Sequence, residues 1–376
     1  VSETLNRLGV VCAGVLWALL LSSCGGSATS SQSAATYDSD SAVAERGSLR
    51  IAFGSCADDD APDHPVWQSL IDAGADAVIL AGDNVYADTP AFQKAPSEEV
   101  MRAEYAKFAA SPGFAQLRSS VPIFATWDDH DFGANDGGAE FAFKDSAQQI
   151  FAEFWQLPAD DPVRVRDGVY SERRLRHAGV DVQVLLLDTR YFRGPLLSTA
   201  RSLSCPIKNY EPNTKDTFLG AAQWRWLEER LQEPADLRLL VSSQQVIPDQ
   251  HCFEKWGNFP HERQRLFALL KETAASNVLI ISGDRHLGEI SRLPAGDSES
   301  PGFDVYEITA SPLSARSGFG WGETNDFRVS TDNLRESQFG VLDINRLPDG
   351  VQVSMQLRDQ TGGVRFRHHI TLPVAP

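Results

Sequence analysis

The chain has 376 residues, 42 % hydrophobic and 23 % charged, values of a folded globular protein with room for one large or two ordinary domains. Its formal net charge of -17 argues against a nucleic-acid-binding or anionic-membrane-binding surface, because both need clustered Lys and Arg. An acidic protein that handles anions must bring local positive charge, and metal ions are one way to do so.

At the N-terminus, Arg7 precedes an apolar run, Val10 to Leu21, too short to span a bilayer and shaped like a signal-peptide core. The run ends in Leu21-Ser-Ser-Cys24, which resembles a bacterial lipobox. Residues 1–23 are therefore expected to be a cleaved lipoprotein signal, with Cys24 as the lipid-bearing residue and the protein exported and anchored to a membrane. Gly25 in place of Asp favours the outer membrane if the cell is Gram-negative, which puts the protein on a periplasmic or cell-surface face. Residues 24–47, rich in Ser, Ala and Gly, read as a flexible tether, and residues 48–376 as one domain without repeat or linker. Cys205 and Cys252 lie in two loop-like stretches and are available to form a disulfide outside the cytoplasm. Cys56 is then the odd thiol and needs a reason.

Leu49–Phe53 alternates like a first strand and runs into Gly54-Ser-Cys56. A short helix follows, with Pro65 at its start, Trp67, Leu70 and Ile71 on one face and Gly74 at its close. Ala77–Ala81 is an apolar run that reads as a buried strand and breaks at Gly82, placing Asp83 and Tyr86 on the turn after it. A carboxylate there can coordinate a metal, act as a base, or cap the next segment. Ser97 and two glutamates start a helix carrying Met101, Tyr105 and Phe108 at core spacing. The strand Val121–Ala125 delivers Thr126-Trp-Asp-Asp-His-Asp-Phe132. Further strands are expected at 182–187, 237–241 and 278–281, with helices at 221–232 and 262–275 between them. The last of these strands runs into Ser282-Gly-Asp-Arg-His286, and the chain after about residue 303 is mostly strand.

Four strand ends thus carry one kind of cargo: Cys56; Asp83 with Tyr86; Asp128, Asp129 and His130; and Asp284 with His286. In open α/β sheets, loops at the carboxyl ends of strands are where ligands bind. One such end is compatible with a simple turn, whereas four are hard to explain by capping. Thiolate, phenolate and imidazole suit a transition metal such as iron, and carboxylates suit a hard cation such as calcium or magnesium.

The pieces Phe53-Gly-Ser-Cys56, Gly82-Asp-Asn-Val-Tyr86, Trp127-Asp-Asp-His130 and Gly283-Asp-Arg-His286 resemble the calcineurin-like metallophosphoesterases, and more closely the PhoD-type alkaline phosphatase/phosphodiesterase family. Leu187-Asp-Thr-Arg190, Gln244-Gln245, Trp256 and Glu262-Arg263 support the resemblance, which covers roughly residues 49 to 320. It implies a mixed α/β fold, a four-layer αββα sandwich. It also implies hydrolysis of phosphate mono- or diesters by a metal-activated water. Asp83 would bridge two metals, with Cys56, Tyr86 and His286 completing an Fe(III) site, and Asp129 or Asp128 together with Asp284 holding Ca2+. His130 would protonate the leaving group, and Arg190 and Arg285 are candidates for phosphate contacts. The partners so implied are a phosphate-ester substrate and, through Cys24, a membrane. No protein partner is indicated. The alternatives are a phosphodiesterase acting on lipid head groups and a non-catalytic metal-binding lipoprotein. Set against longer PhoD-type enzymes, the stretch before Leu49 is expected to be too short for their N-terminal sandwich domain, which would leave the pocket more open.

Overall fold

The structure is a computed structural model that describes residues 35–38, 47–58, 61, 63–317 and 323–373. The expected signal segment, Cys24 and Gly25 lie outside the described residues. Those described all belong to one compact unit. Among them no helix is long and apolar enough to cross a membrane.

Two large sheets organise the unit. In chain order the strands are β1 (Ala35–Asp38), β2 (Leu49–Gly54), β3 (Ala77–Ala81), β4 (Ile123–Thr126), β5 (Ser171–His177), β6 (Val180–Leu186), β7 (Leu197–Ser198), β8 (Tyr210–Glu211), β9 (Leu237–Val241) and β10 (Val278–Ser282). They continue with β11 (Gly288–Leu293), β12 (Val305–Ala310), β13 (Gln338–Leu347), β14 (Gly350–Asp359) and β15 (Val364–Pro373). One sheet has the order β15-β14-β13-β2-β3-β4 and the other β1-β5-β6-β9-β10-β12-β11, while β7 and β8 form a small hairpin. Strands β2, β3 and β4 run parallel in the first sheet, and β6, β9, β10 and β12 in the second.

Side-chain alternation separates the layers. Leu49, Ile51 and Phe53 of β2 and Ala77, Ile79 and Ala81 of β3 share one apolar core with Val182, Val184, Leu239, Leu279 and Ile281 of the other sheet. The intervening Ala52, Val78 and Leu80 face outward and meet helices α1 (Val66–Asp72), α2 (Pro90–Lys94), α3 (Glu98–Ala110), α4 (Pro112–Ser120), α5 (Asp129–Phe132) and α6 (Lys144–Phe154). On the far side Leu185, Leu240, Val278 and Ile280 meet α7 (Gly220–Leu231) and α8 (Pro260–Glu272). Period-two alternation with both faces apolar is what a strand covered on both sides requires. The result is the expected four-layer αββα sandwich.

The helix and strand positions read from periodicity are present, with ends moved by up to three residues. Ser97 caps α3 by accepting a hydrogen bond from the Val100 N–H at 3.3 Å, and Met101, Tyr105 and Phe108 are core. Sequence periodicity missed β5, whose Ser-Glu-Arg-Arg-Leu-Arg-His carries no apolar run. Its arginines are satisfied by pairing, as with Arg174 and Asp181 at 2.8 Å. The segment 24–47 is not wholly a free tether: Ala35–Asp38 pair in parallel with Arg173–Arg176. A sheet edge offers unpaired backbone groups to any neighbouring extended chain, whatever its composition.

Candidate metal centre

The parallel strands of both sheets deliver their carboxyl ends to one place. Beyond β2 lies Cys56, beyond β3 Asp83, beyond β4 Asp128 and Asp129, beyond β9 Ser243, and beyond β10 Asp284 and His286. Backbone bonds lock these ends together: Cys56 N–H donates to Gly82 O at 3.1 Å, Gly283 N–H to Ser243 O at 2.9 Å and Leu313 N–H to Ser55 O at 2.8 Å. The approach is so close that a Cβ on Gly82 would meet Asp128 Cβ at 2.6 Å, and Gly82 also has φ +105°.

Local backbone conformation aims the side chains. Cys56, Asp83, Asp284 and His286 all have positive φ, at 58°, 51°, 59° and 48°. They are four of the eight non-glycine residues with positive φ among the described residues, a concentration that turn chemistry alone does not produce. Each such residue costs of order 1–3 kcal/mol and persists where the surroundings over-determine it.

The side chains converge. Cys56 Sγ lies 3.4 Å from Asp83 Oδ2 and receives a hydrogen bond from Ser311 Oγ at 3.1 Å. Among the described residues three groups have donor atoms mutually within 4.8 Å: Asp83, Asp129 and His130; Asp83, Asp128 and Asp284; and Asp128, Asp129 and Glu254. Asp128 and Asp129 each spend one oxygen inside the protein. Asp128 Oδ1 accepts from Ser243 Oγ at 2.7 Å, and Asp129 Oδ2 accepts from Asn135 Nδ2 at 3.0 Å and Asp136 N at 2.7 Å. The other oxygen of each, with Oδ2 of Asp284, is buried without a partner among the described residues. Buried carboxylate oxygens left without a partner inside a cluster of acids are what a cation satisfies.

His286 is oriented for the same purpose. Its Nδ1 lies 2.6 Å from the Arg316 carbonyl, so Nδ1 carries the proton and Nε2 presents its lone pair, 3.5 Å from Tyr86 Oη. A ring fixed through one nitrogen to bind through the other is the usual support of a metal-ligating histidine. Burial lowers its pKa to about 4 and keeps it neutral.

Without cations the charges conflict. Burial, then Asp284, pushes the Cys56 thiol up to about 12. Burial, then Glu254, raises Asp284 to about 7, and burial raises Asp83 and Asp128 well above the usual carboxylate range. For Asp129, burial is outweighed by His130 and Arg190, and the group is held below that range. A bound cation inverts this logic by favouring thiolate and carboxylate.

His130 stacks on Tyr86 with ring centroids 4.2 Å apart, and its Nδ1 lies 2.8 Å from Asp88 Oδ1. Burial opposes its protonated form, but Asp129, Asp83 and Asp88 outweigh burial and raise it to about 11. It is thus a partly exposed, proton-bearing group beside the cluster.

Arg190 is placed otherwise than expected. Its guanidinium is fully buried, with Nε 2.5 Å from Asp128 Oδ1, Nη1 2.8 Å from Glu254 Oε2 and Nη2 also paired with both acids. It therefore orients carboxylates and has no free face for substrate. Arg285 is likewise committed, paired with Glu323 and lying 3.8 Å over the Phe253 ring. Sequence reasoning missed Glu254, which has no motif of its own, and Asp88, only two residues beyond Tyr86. Cys205 and Cys252 are disulfide-bonded, tying the stretch around 205 to the loop that carries Glu254.

Two mixed sheets packed face to face, with a thiol, imidazole and carboxylates at their common carboxyl end, define a class of metal-site αββα proteins. A family model described as PhoD-like phosphatase matches residues 51–354, and the chain belongs to that family. Alkaline phosphatase D of Bacillus subtilis (strain 168) is 22 % identical over 319 residues, which cover 76 % of this chain and 53 % of the relative. The chain thus spans about half the length of the curated relative it matches. A solved structure of PhoD, 16 % identical, covers 85 % of this chain and 71 % of its own with a TM-score of 0.65, and shows the likeness of fold.

Proposed function

We propose that this protein is a phosphoric ester hydrolase that cleaves phosphomonoesters, phosphodiesters or both, outside the cytoplasm, at a binuclear metal centre. The observation that carries the reading is the buried, unpartnered oxygen on each of Asp128, Asp129 and Asp284, acids that belong to overlapping donor groups, two of which share Asp83. Cys56, Asp83, Tyr86 and His286 would hold Fe(III), a cation matched to thiolate and phenolate donors. Asp83, Asp128, Asp129 and Asp284 would hold Ca2+, which takes oxygen ligands. When bound, the two cations supply Lewis acidity, a lowered pKa for water and neutralisation of the phosphoryl charge.

The chain's own residues do the rest. His130, charged and held by Asp88, donates its proton to the departing oxygen. Arg190 holds Asp128 and Glu254 in place through charge-assisted hydrogen bonds. Ser243 and Asn135 hold the remaining carboxylate oxygens so that one oxygen of each acid faces the centre. Export is supported by the signal-like N-terminal sequence ending at Cys24 and by the Cys205–Cys252 disulfide, which suits an oxidising compartment.

The test is hydrolysis of a chromogenic phosphomonoester and phosphodiester by protein stripped with chelator and then reloaded with iron and calcium. Turnover restored only on reloading, with a visible charge-transfer band that weakens in Tyr86→Phe, supports the reading. Absence of turnover with either ester after reloading overturns it.

A further inference from the structure

The cationic side chains around the centre are nearly all committed. Arg190 and Arg285 are buried in ion pairs. Arg193 donates to the carbonyls of Asp136, Gly137 and Gly194. Lys208 pairs with Asp136 at 2.5 Å, and Lys255 donates to His251 O at 2.6 Å. Arg316 differs. It is exposed, and its guanidinium has no hydrogen bond or ion pair among the described residues.

The backbone beneath Arg316 is nevertheless bound to the centre. Its carbonyl accepts from His286 Nδ1 at 2.6 Å. The preceding N–H groups of Ala315 and Ser314 donate to the Cys56 carbonyl at 3.1 and 3.3 Å, and Leu313 N–H donates to Ser55 O at 2.8 Å. Both residues before it are buried, Ser314 at 7 % and Ala315 at 5 % exposure, and exposure begins at Arg316 itself. An arginine rooted on two expected metal-site residues, yet left without an acid among the described residues of a chain of net charge -17, is placed to receive an anion from solution.

We propose that Arg316 is a specificity-determining residue that binds a second anionic group of the substrate, so that the preferred substrates are phosphate esters whose non-reacting portion carries a further phosphate. The assignment rests on the hydrolase reading above, in which the reacting phosphoryl group is neutralised at the metal centre. Arg316, on the rim beside His286, is then free to engage the other group through the paired N–H donors that guanidinium offers to phosphate.

The test compares equilibrium binding of thymidine 5′-monophosphate and thymidine 3′,5′-bisphosphate to the iron- and calcium-loaded full chain by calorimetry, alongside turnover of a chromogenic diester. The wild type should bind the bisphosphate about tenfold more tightly, a preference of about 1.4 kcal/mol that shrinks with added salt. Arg316→Ala should lose most of that preference while the monophosphate weakens less than about threefold, and Arg316→Lys should keep part of it. Equal binding of the two nucleotides by the wild type, or an undiminished preference in Arg316→Ala, overturns the assignment even where the diester is turned over. Loss of both binding and diester turnover in the loaded wild type overturns the hydrolase reading and the assignment together.

Discussion

The two halves of the candidate centre are built by different means. The half formed by Cys56, Tyr86 and His286 is a product of backbone: Cys56 and His286 follow strand ends and have positive φ, and main-chain hydrogen bonds stitch the strand ends together. The half formed by Asp128, Asp129 and Glu254 is a product of side-chain electrostatics, with one buried arginine holding acids from two loops. The first half is therefore rigid because the sheets are rigid. The second exists only while its charges balance, and a single substitution can dismantle it without touching a strand.

Asp83 belongs to both halves, so its loss should have the largest effect. Asp83→Asn should remove both metals at once in elemental analysis and lower kcat/KM by about a thousandfold or more, roughly 4 kcal/mol of transition-state stabilisation. Retention of one metal at full occupancy would show that the halves do not share a ligand.

Arg190→Met breaks the second half alone. It leaves Asp128 and Glu254 buried without their cation, which costs about 3–5 kcal/mol when one partner of such a pair is removed. Denaturant titration should show the loss near neutral pH. The deficit should shrink as pH falls, because burial favours the protonated form of both acids.

Cys56→Ser breaks the first half alone. Iron affinity should fall by about thirtyfold, near 2 kcal/mol, with the visible band weakened and calcium content retained. Equal loss of both metals would mean that the two halves are not separable.

The smallest effect concerns the scaffold beneath the strand ends. Glu307 of β12 accepts from Ser282 Oγ at 2.6 Å and from the Val246 and Ile247 N–H groups at 3.1 and 2.6 Å. Burial nevertheless raises its pKa from 4.5 to about 7. A carboxyl with a raised folded-state pKa holds more protons folded than unfolded. Its stabilisation is full below pH 4.5 and is lost as pH rises toward 7. In metal-free protein, thermal unfolding followed between pH 5 and 7.5 should show a fall in stability, of which Glu307→Gln removes on the order of 1 kcal/mol.

Legibility in the sequence follows the same division. The strand-end half was readable because an apolar run that ends and then shows a thiol, carboxylate or imidazole is a local pattern, repeated at Cys56, Asp83, Asp129 and Asp284, with a glycine marking the break at all but Asp129. Glu254 was not readable, because its neighbour in space, Arg190, is 64 residues away and neither sits in a periodic segment. Arg190 itself stood beside a strand-end aspartate, but only packing shows that its guanidinium faces acids and leaves no face for a substrate. Strand β5 was hidden for a related reason, since its charges are neutralised by partners that come from elsewhere in the chain.

By itself the sequence determined the alternation of strands and helices, the apolar strands that need cover on both faces, and the residue types gathered at the strand ends. These depend on spacing along the chain, which is local. The tertiary structure decided which oxygen of each carboxylate is spent and which is left without a partner, which arginines are locked, and that Arg316, among the described residues, is exposed without an acid beside His286. Those outcomes depend on how charges compete for partners once water is excluded, and that competition exists only after the sheets have packed.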